Sequence, residues 1–155
     1  MRAARVNEFG PVENIHVEEI PTPSPGAGDL LVRISVAGVN FADVGMSTGA
    51  ARRTPPPFTP GVEAAGIVEA LGEGVTGFGP GERVVYWNPL PSAFAEYAIV
   101  PAWRTVRVPA GVTDEVVNQI VTDYYIEQGW DPQTGRPTAE TVRALGLTAD
   151  AVGLV

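Results

Sequence analysis

Between residues 2 and 108 the chain alternates short apolar runs with clusters of glycine, proline and polar residues. The runs are Arg2–Val6, Ile15–Ile20, Leu30–Ala37, Val62–Leu71, Arg83–Trp87, Phe94–Val100 and Thr105–Val108. Each is rich in β-branched or aromatic residues, which pack well on a pleated surface, so each is expected to be a strand. The segments between them, such as 21–29, 54–61 and 74–82, carry the glycines and prolines that set turn dihedrals. Such spacing suits an all-β sandwich or barrel, and closure into a barrel removes exposed sheet edges.

After Gly111 the period lengthens from two to about 3.6. Thr113 is placed to cap a helix, Asp114 and Glu115 put negative charge at the positive end of its dipole, and Val116, Val117, Ile120, Val121, Tyr124 and Tyr125 recur at three-and-four spacing as far as Gly129. Trp130, Asp131 and Pro132 force a turn. Pro137 and Thr138 open a second short helix with Val142 and Leu145 on its apolar face, stopped by Gly146. The tyrosines and Trp130 fall at core spacing, which favours packing over a stacking site. The pattern therefore predicts a mainly β fold: a barrel over residues 1–112 and a helical tail over 113–155.

Composition narrows the function classes. The 155 residues leave room for one domain with a short appendage, too little for a two-domain dehydrogenase. The formal charge is −8 and all 10 basic residues are arginine, a balance that repels phosphate backbones and anionic headgroups, so neither nucleic acid nor membrane is expected as a partner. The absence of cysteine excludes disulfides, iron–sulfur clusters and thiolate zinc sites, and fits a reducing compartment. No apolar stretch approaches the ~18 residues of a membrane span. The expectation is a soluble cytoplasmic protein.

Few residues then stand out as chemistry. Gly72, Gly74 and Gly77 match GxGxxG after an expected strand, with Glu96 about twenty residues on, yet a dinucleotide fingerprint must open a helix. This one runs into Phe78, Gly79, Pro80 and Gly81, which would break the first helical turn, so it reads as a connection between strands. There is no lysine for a phosphate-binding GxxxxGK motif. His16, the single histidine, cannot build a metal site alone and reads as structural. Glu18 and Glu19 are adjacent on a strand and point to opposite faces, so they cannot act as a pair. Ser92 lacks the elbow of a serine nucleophile and has only His16 as a conceivable base.

Five segments carry more. Ala37–Asp43 (AGVNFAD), Pro57–Val68 (PFTPGVEAAGIV), Leu71–Val75, Gly81–Val84 and Ala93–Tyr97 (AFAEY) resemble, in order and spacing, the N-terminal half of the zinc-free quinone oxidoreductases of the medium-chain dehydrogenase/reductase superfamily, over about residues 1–115. The resemblance implies a GroES-like β-barrel, the substrate-side domain of an NADPH-dependent reductase of quinones or other activated alkenes and carbonyls. Zinc-dependent members carry a cysteine where Asn40 stands and a histidine where Val62 precedes Glu63, so no catalytic metal is expected. In the zinc-free relatives the asparagine matching Asn40 lies beside the nicotinamide, where a neutral amide can donate a hydrogen bond. Asn40 is thus the first candidate catalytic and cofactor-binding residue. Asp43 is the second, as a partner that orients the loop.

This sequence also departs from that pattern. The relatives continue after the aspartate with tyrosine, arginine, glycine and tyrosine, whereas residues 44–51 here read VGMSTGAA. The glycine survives and the aromatic and cationic wall does not, which argues for an altered or vestigial pocket. Beyond residue 115 the relatives continue into a nucleotide-binding domain. Here Thr122–Asp131, Gly135–Thr138 and Leu145–Leu147 instead resemble the C-terminal end of tungsten-dependent aldehyde ferredoxin oxidoreductases, over about forty residues that carry no cluster or pterin chemistry. No Rossmann domain is expected, and the chain reads as a join of two family fragments, natural or engineered. Two functions follow from this reading. One is a reductase module that is inactive until a separate nucleotide-binding subunit supplies NADPH. The other is a non-catalytic scaffold in which the helix at 114–128 docks on the barrel or on another copy, giving a homo-oligomer.

Overall fold

The computed structural model describes residues 1–51, 54–146 and 148; Leu147 of the tail's family-like segments lies outside them. Strands dominate, as the apolar alternation predicts. β1 (Arg2–Val6) and β2 (Ile15–Glu19) form an antiparallel pair. β3 (Asp29–Ala37), β4 (Glu63–Leu71), β5 (Arg83–Trp87), β6 (Tyr97–Pro101) and β7 (Thr105–Arg107) form a five-stranded antiparallel sheet in the order β6-β3-β4-β5-β7. The ladder does not close: β6 and β7 are its edges, and β1 reaches the rest through isolated bridges, Ala3 to Ala95 and Val6 to Phe58. The expected barrel is therefore open, because β1 gives its other side to short bridges rather than to a full strand.

Alternation decides which side chains are inside. Along β5, Val84 and Tyr86 are buried while Val85 and Trp87 are exposed. Val84 and Tyr86 join Leu30, Val32, Val68, Ala98 and Val100 in one cluster, each buried valine contributing about 1.5–3 kcal/mol. A smaller cluster holds Val6, Met46 and Phe58.

One element escapes the period-two pattern. α1 (Phe41–Ser47) is a seven-residue helix between β3 and β4. It faces the smaller cluster through Met46.

The chain divides into two compact units, Met1–Val108 and Pro109–Val155. In the second, α2 (Asp114–Glu127) starts where expected, with Thr113 accepting from the Val116 amide at 3.4 Å. A small hairpin follows, β8 (Trp130–Asp131) and β9 (Arg136–Pro137), where the sequence suggested only a turn. Its tip is held by Asp131, whose Oδ1 accepts from the Gln133 and Thr134 amides at 2.9 and 2.8 Å. These contacts, the Thr134 amide foremost, keep the Asp131 carboxyl below its usual value. α3 (Ala139–Ala144) is capped by Thr138 and buries Val142. Tyr125 and Trp130 stack with centroids 5.8 Å apart, as core spacing implied. The apolar stripe of α2 behaves otherwise: the helix buries none of its residues, and Val116, Ile120 and Tyr124 stay largely exposed.

Candidate functional site

Asn40 sits at the turn from β3 into α1, as the residue that caps the helix. Its backbone is extended (φ −118°, ψ 153°), as a capping residue requires, and its amide N–H donates to Asp43 Oδ2 at 2.8 Å. Asp43 Oδ1 accepts a second amide, that of Gly61, at 3.2 Å. Asp43 is 5% exposed. Its carboxylate thus ties the start of α1 to the loop before β4.

The side chain of Asn40 points across to β4. Its Nδ2 donates to Glu63 Oε1 at 3.1 Å, which fixes one amide N–H and leaves the second. The contact depends on Gly38. A Cβ at that position would lie 2.3 Å from Glu63 Oε1 and 2.9 Å from its Cδ, so only glycine lets the carboxylate lie where Asn40 meets it. Gly61 has a comparable role: its φ of +91° and a built Cβ 2.6 Å from the Phe94 ring exclude a side chain while its amide holds Asp43.

Asn40 opens onto a cleft of about 240 Å³, lined also by Met46, Ala51, Val62, Trp87 and Pro89. Val62 shares it with Asn40, so the two positions that carry zinc ligands in the metal-dependent pattern face the same space. Among the described residues no group of three or more His, Asp or Glu side chains is placed to hold a metal. The far wall is pinned by Asn88, whose amide donates to the Val62 carbonyl at 2.7 Å and whose Oδ1 accepts from Leu90 at 3.3 Å. Trp87, directly across from Glu63 in the β4–β5 register, exposes about half of its side chain beside the cleft. The Arg104 guanidinium lies 5.5 Å from its ring centroid and 4.1 Å from that of Trp103.

The geometry brings the two expected site residues together, with Asn40 at the cleft and Asp43 beneath it. Glu63 and Trp87 were not singled out in the sequence. Glu63 stood in a recognised segment, and the signal for it was the glycine at 38. His16 is exposed on β2 opposite Arg5, away from this cleft's lining residues. Gly72–Gly77 connects β4 to β5 without opening a helix.

The sequence profile of the alcohol dehydrogenase GroES-like domain matches residues 26–110, more than half of the chain and all of the elements that build the cleft. The chain belongs to the alcohol dehydrogenase GroES-like domain family. It is 35% identical to quinone oxidoreductase of Lama guanicoe over 111 residues, which covers 70% of this chain and 34% of that protein. It is also 35% identical to the protein named probable quinone oxidoreductase in Schizosaccharomyces pombe, over 97% of this chain and 46% of that protein, an alignment that runs into the tail. Among solved structures, a mycobacterial protein complexed with NADPH superposes with a TM-score of 0.68 at 36% identity, covering 81% of this chain and 40% of that one. The chain thus spans between about a third and a half of the length of the relatives it matches. No helix of the described residues is long and apolar enough to cross a membrane.

Proposed function

We propose that this chain is the substrate-side module of a zinc-independent, NADPH-linked oxidoreductase of quinones or enones, and that residues 1–155 need a nucleotide-binding unit to be active. The observation that carries this reading is the Asn40 amide, oriented by Glu63 at the mouth of a small apolar cleft. The cleft fits one ring of an acceptor in size and in its single amide. The dinucleotide itself would rest on the nucleotide-binding unit. A bound nicotinamide supplies the hydride. The chain's own residues do the remaining work: Asn40 presents its second N–H to a carbonyl, Asp43 positions Asn40, and Val62, Met46 and Pro89 keep water from the reacting centre. Holding donor and acceptor about 3–3.5 Å apart is where such a site gains most of its rate. Asn40 is therefore read as the residue that touches the reactants and Asp43 as a positioning residue.

Support for a partner comes from Val39 and Phe41, which flank Asn40 and are 81% and 91% exposed. Apolar surface at that position is what a docked unit would cover. The decisive experiment is titration with NADPH, followed by cofactor fluorescence, with and without a candidate nucleotide-binding protein. The expected outcome is no saturable binding by the chain alone and binding with enone reduction in the mixture, lost in Asn40→Ala. Micromolar affinity for NADPH without a partner would overturn the dependence on a second unit.

A second reading has its own observation. The unburied apolar stripe of α2 favours a non-catalytic module whose tail binds another protein or a second copy. Solution mass discriminates: on this reading Val121→Asp lowers the mass of an oligomer, and a monomer unaffected by the substitution rejects it. The tail, with its likeness to the end of aldehyde ferredoxin oxidoreductases, is read as an appendage without redox chemistry, and the protein as cytoplasmic.

A further inference from the structure

We propose that Trp87 and Arg104 select the ligand of the Asn40 cleft, and that this ligand is a small, flat, conjugated carboxylate. The inference rests on the reading of the cleft as a substrate site and adds the class of molecule that enters it.

Four observations converge. First, the cleft is about 240 Å³, below the size that drug-like ligands need, and so suited to one substituted ring. Second, among the described residues its lining is apolar apart from Asn40, and its aromatic wall is the indole of Trp87, about half exposed. An exposed indole beside a narrow apolar cleft favours a flat π-system lying against it. Third, the Arg104 guanidinium is held against that indole at 5.5 Å and against Trp103 at 4.1 Å, so a positive charge is fixed within reach of a ligand on Trp87. Fourth, among the described residues Arg104 forms no ion pair, whereas Arg2, Arg33 and Arg107 each meet a glutamate.

Among the described residues Arg5, Arg136 and Arg143 also meet no carboxylate; Arg104 differs from them in stacking on the indole that lines the cleft. Its planar fork suits a carboxylate better than any neutral group. Asn40, which also lines the cleft, then meets a carbonyl or hydroxyl oxygen of the same ring. The sheet explains the juxtaposition: Tyr86 pairs with Thr105, which sets Arg104 opposite Trp87, and Trp87 pairs with Glu63, the partner of Asn40.

The test uses the intact chain, labelled with 15N, and two probes of the same shape: 4-hydroxybenzoate and its neutral methyl ester. Indole N–H signals report on Trp87, Trp103 and Trp130 separately. The expected result is saturable binding of the acid that shifts Trp87 and Trp103 and leaves Trp130 unmoved, with the ester binding about fivefold more weakly. Arg104→Gln is expected to remove the preference for the acid, Arg104→Lys to keep most of it, and Trp87→Leu to weaken both probes while Trp87→Phe retains them. Equal affinity for acid and ester, a preference that survives Arg104→Gln, or shifts confined to Trp130 would each overturn the proposal, the first and last without any variant. Enone reduction with a nucleotide-binding partner but no preference for carboxylates would reject this inference and leave the proposed function intact. A carboxylate preference without reductase activity would do the reverse.

Discussion

Asn40 Nδ2 lies 3.1 Å from Glu63 Oε1, a contact between residues 23 positions apart that exists only because position 38 has no side chain. Gly38→Ala is therefore expected to push the Glu63 carboxylate aside and free the Asn40 amide. The charge-assisted bond is partly exposed, so the loss is about 1 kcal/mol of stability. Urea unfolding reads that loss, and a shift of the Asn40 side-chain amide signal, reproduced by Glu63→Ala, assigns it to this contact.

Asp43 is more costly to change. Buried, and accepting from two main-chain amides, it leaves one of those donors facing an amide NH2 in Asp43→Asn and both without a partner in Asp43→Ala. A loss of about 1–3 kcal/mol is expected for Asp43→Asn and about 2–4 kcal/mol for Asp43→Ala, since buried donors left unpaired carry their full desolvation cost. The measurement is the urea midpoint, with the slope unchanged if the native fold persists. A midpoint equal to that of the parent chain would remove Asp43 from its positioning role.

Tyr86 presents the opposite case. Its hydroxyl is buried and without a hydrogen-bond partner, and burial raises its pKa well above the usual phenol value. Tyr86→Phe deletes an unsatisfied polar group and keeps the ring, so stability is expected to be unchanged or to rise by about 0.5–1 kcal/mol. A thermal melt checks the sign, and a clear destabilisation would show that the hydroxyl has a partner such as ordered water.

Within residues 1–108, acid sensitivity has two named sources. Glu96 is held below the usual value of 4.5 by the Arg2 amide first and the Arg2 guanidinium second, and Glu82 by the Arg107 guanidinium first and the Gly79 amide second. A carboxyl whose folded pKa is depressed stabilises the fold above its ordinary pKa and stops doing so as the pH falls through the folded one. Stability is thus expected to decline as the pH drops below about 4.5. Both pairs are exposed, so the decline should be modest and weakened by salt. Melts from pH 3 to 7 should show a shallower acid limb in Glu96→Gln than in the parent chain.

The strands were legible in the sequence because a half-buried sheet stamps a period of two on its residues, and β1 and β5 begin and end where the apolar runs do. α2 was legible from Thr113 and the spacing that follows it. α1 was not. Seven residues that include Gly45 and the β-branched Val44 are too few to display a helical period, and what makes them helical is the pair of interactions around Asn40 and Asp43. The hairpin at 130–137 is likewise too short to alternate. At the site, Asn40 and Asp43 were visible through family resemblance. Glu63 as a hydrogen-bond partner and Trp87 as a wall arise from cross-strand register, which a linear reading does not contain. α2 shows a related limit: amphipathic spacing shows that a face is available to pack, without showing what packs on it.

The partition into two units has a thermal consequence. Residues 1–108 enclose two clusters of buried side chains, whereas among the described residues of 109–155 Val142 is the one buried hydrophobic. So little enclosed apolar surface cannot give the second unit the cooperativity of the first. Heating should produce two events, and Trp130 should report the earlier one while Trp87 and Trp103 still sense an intact sheet. A single melting temperature would then describe neither half of the molecule.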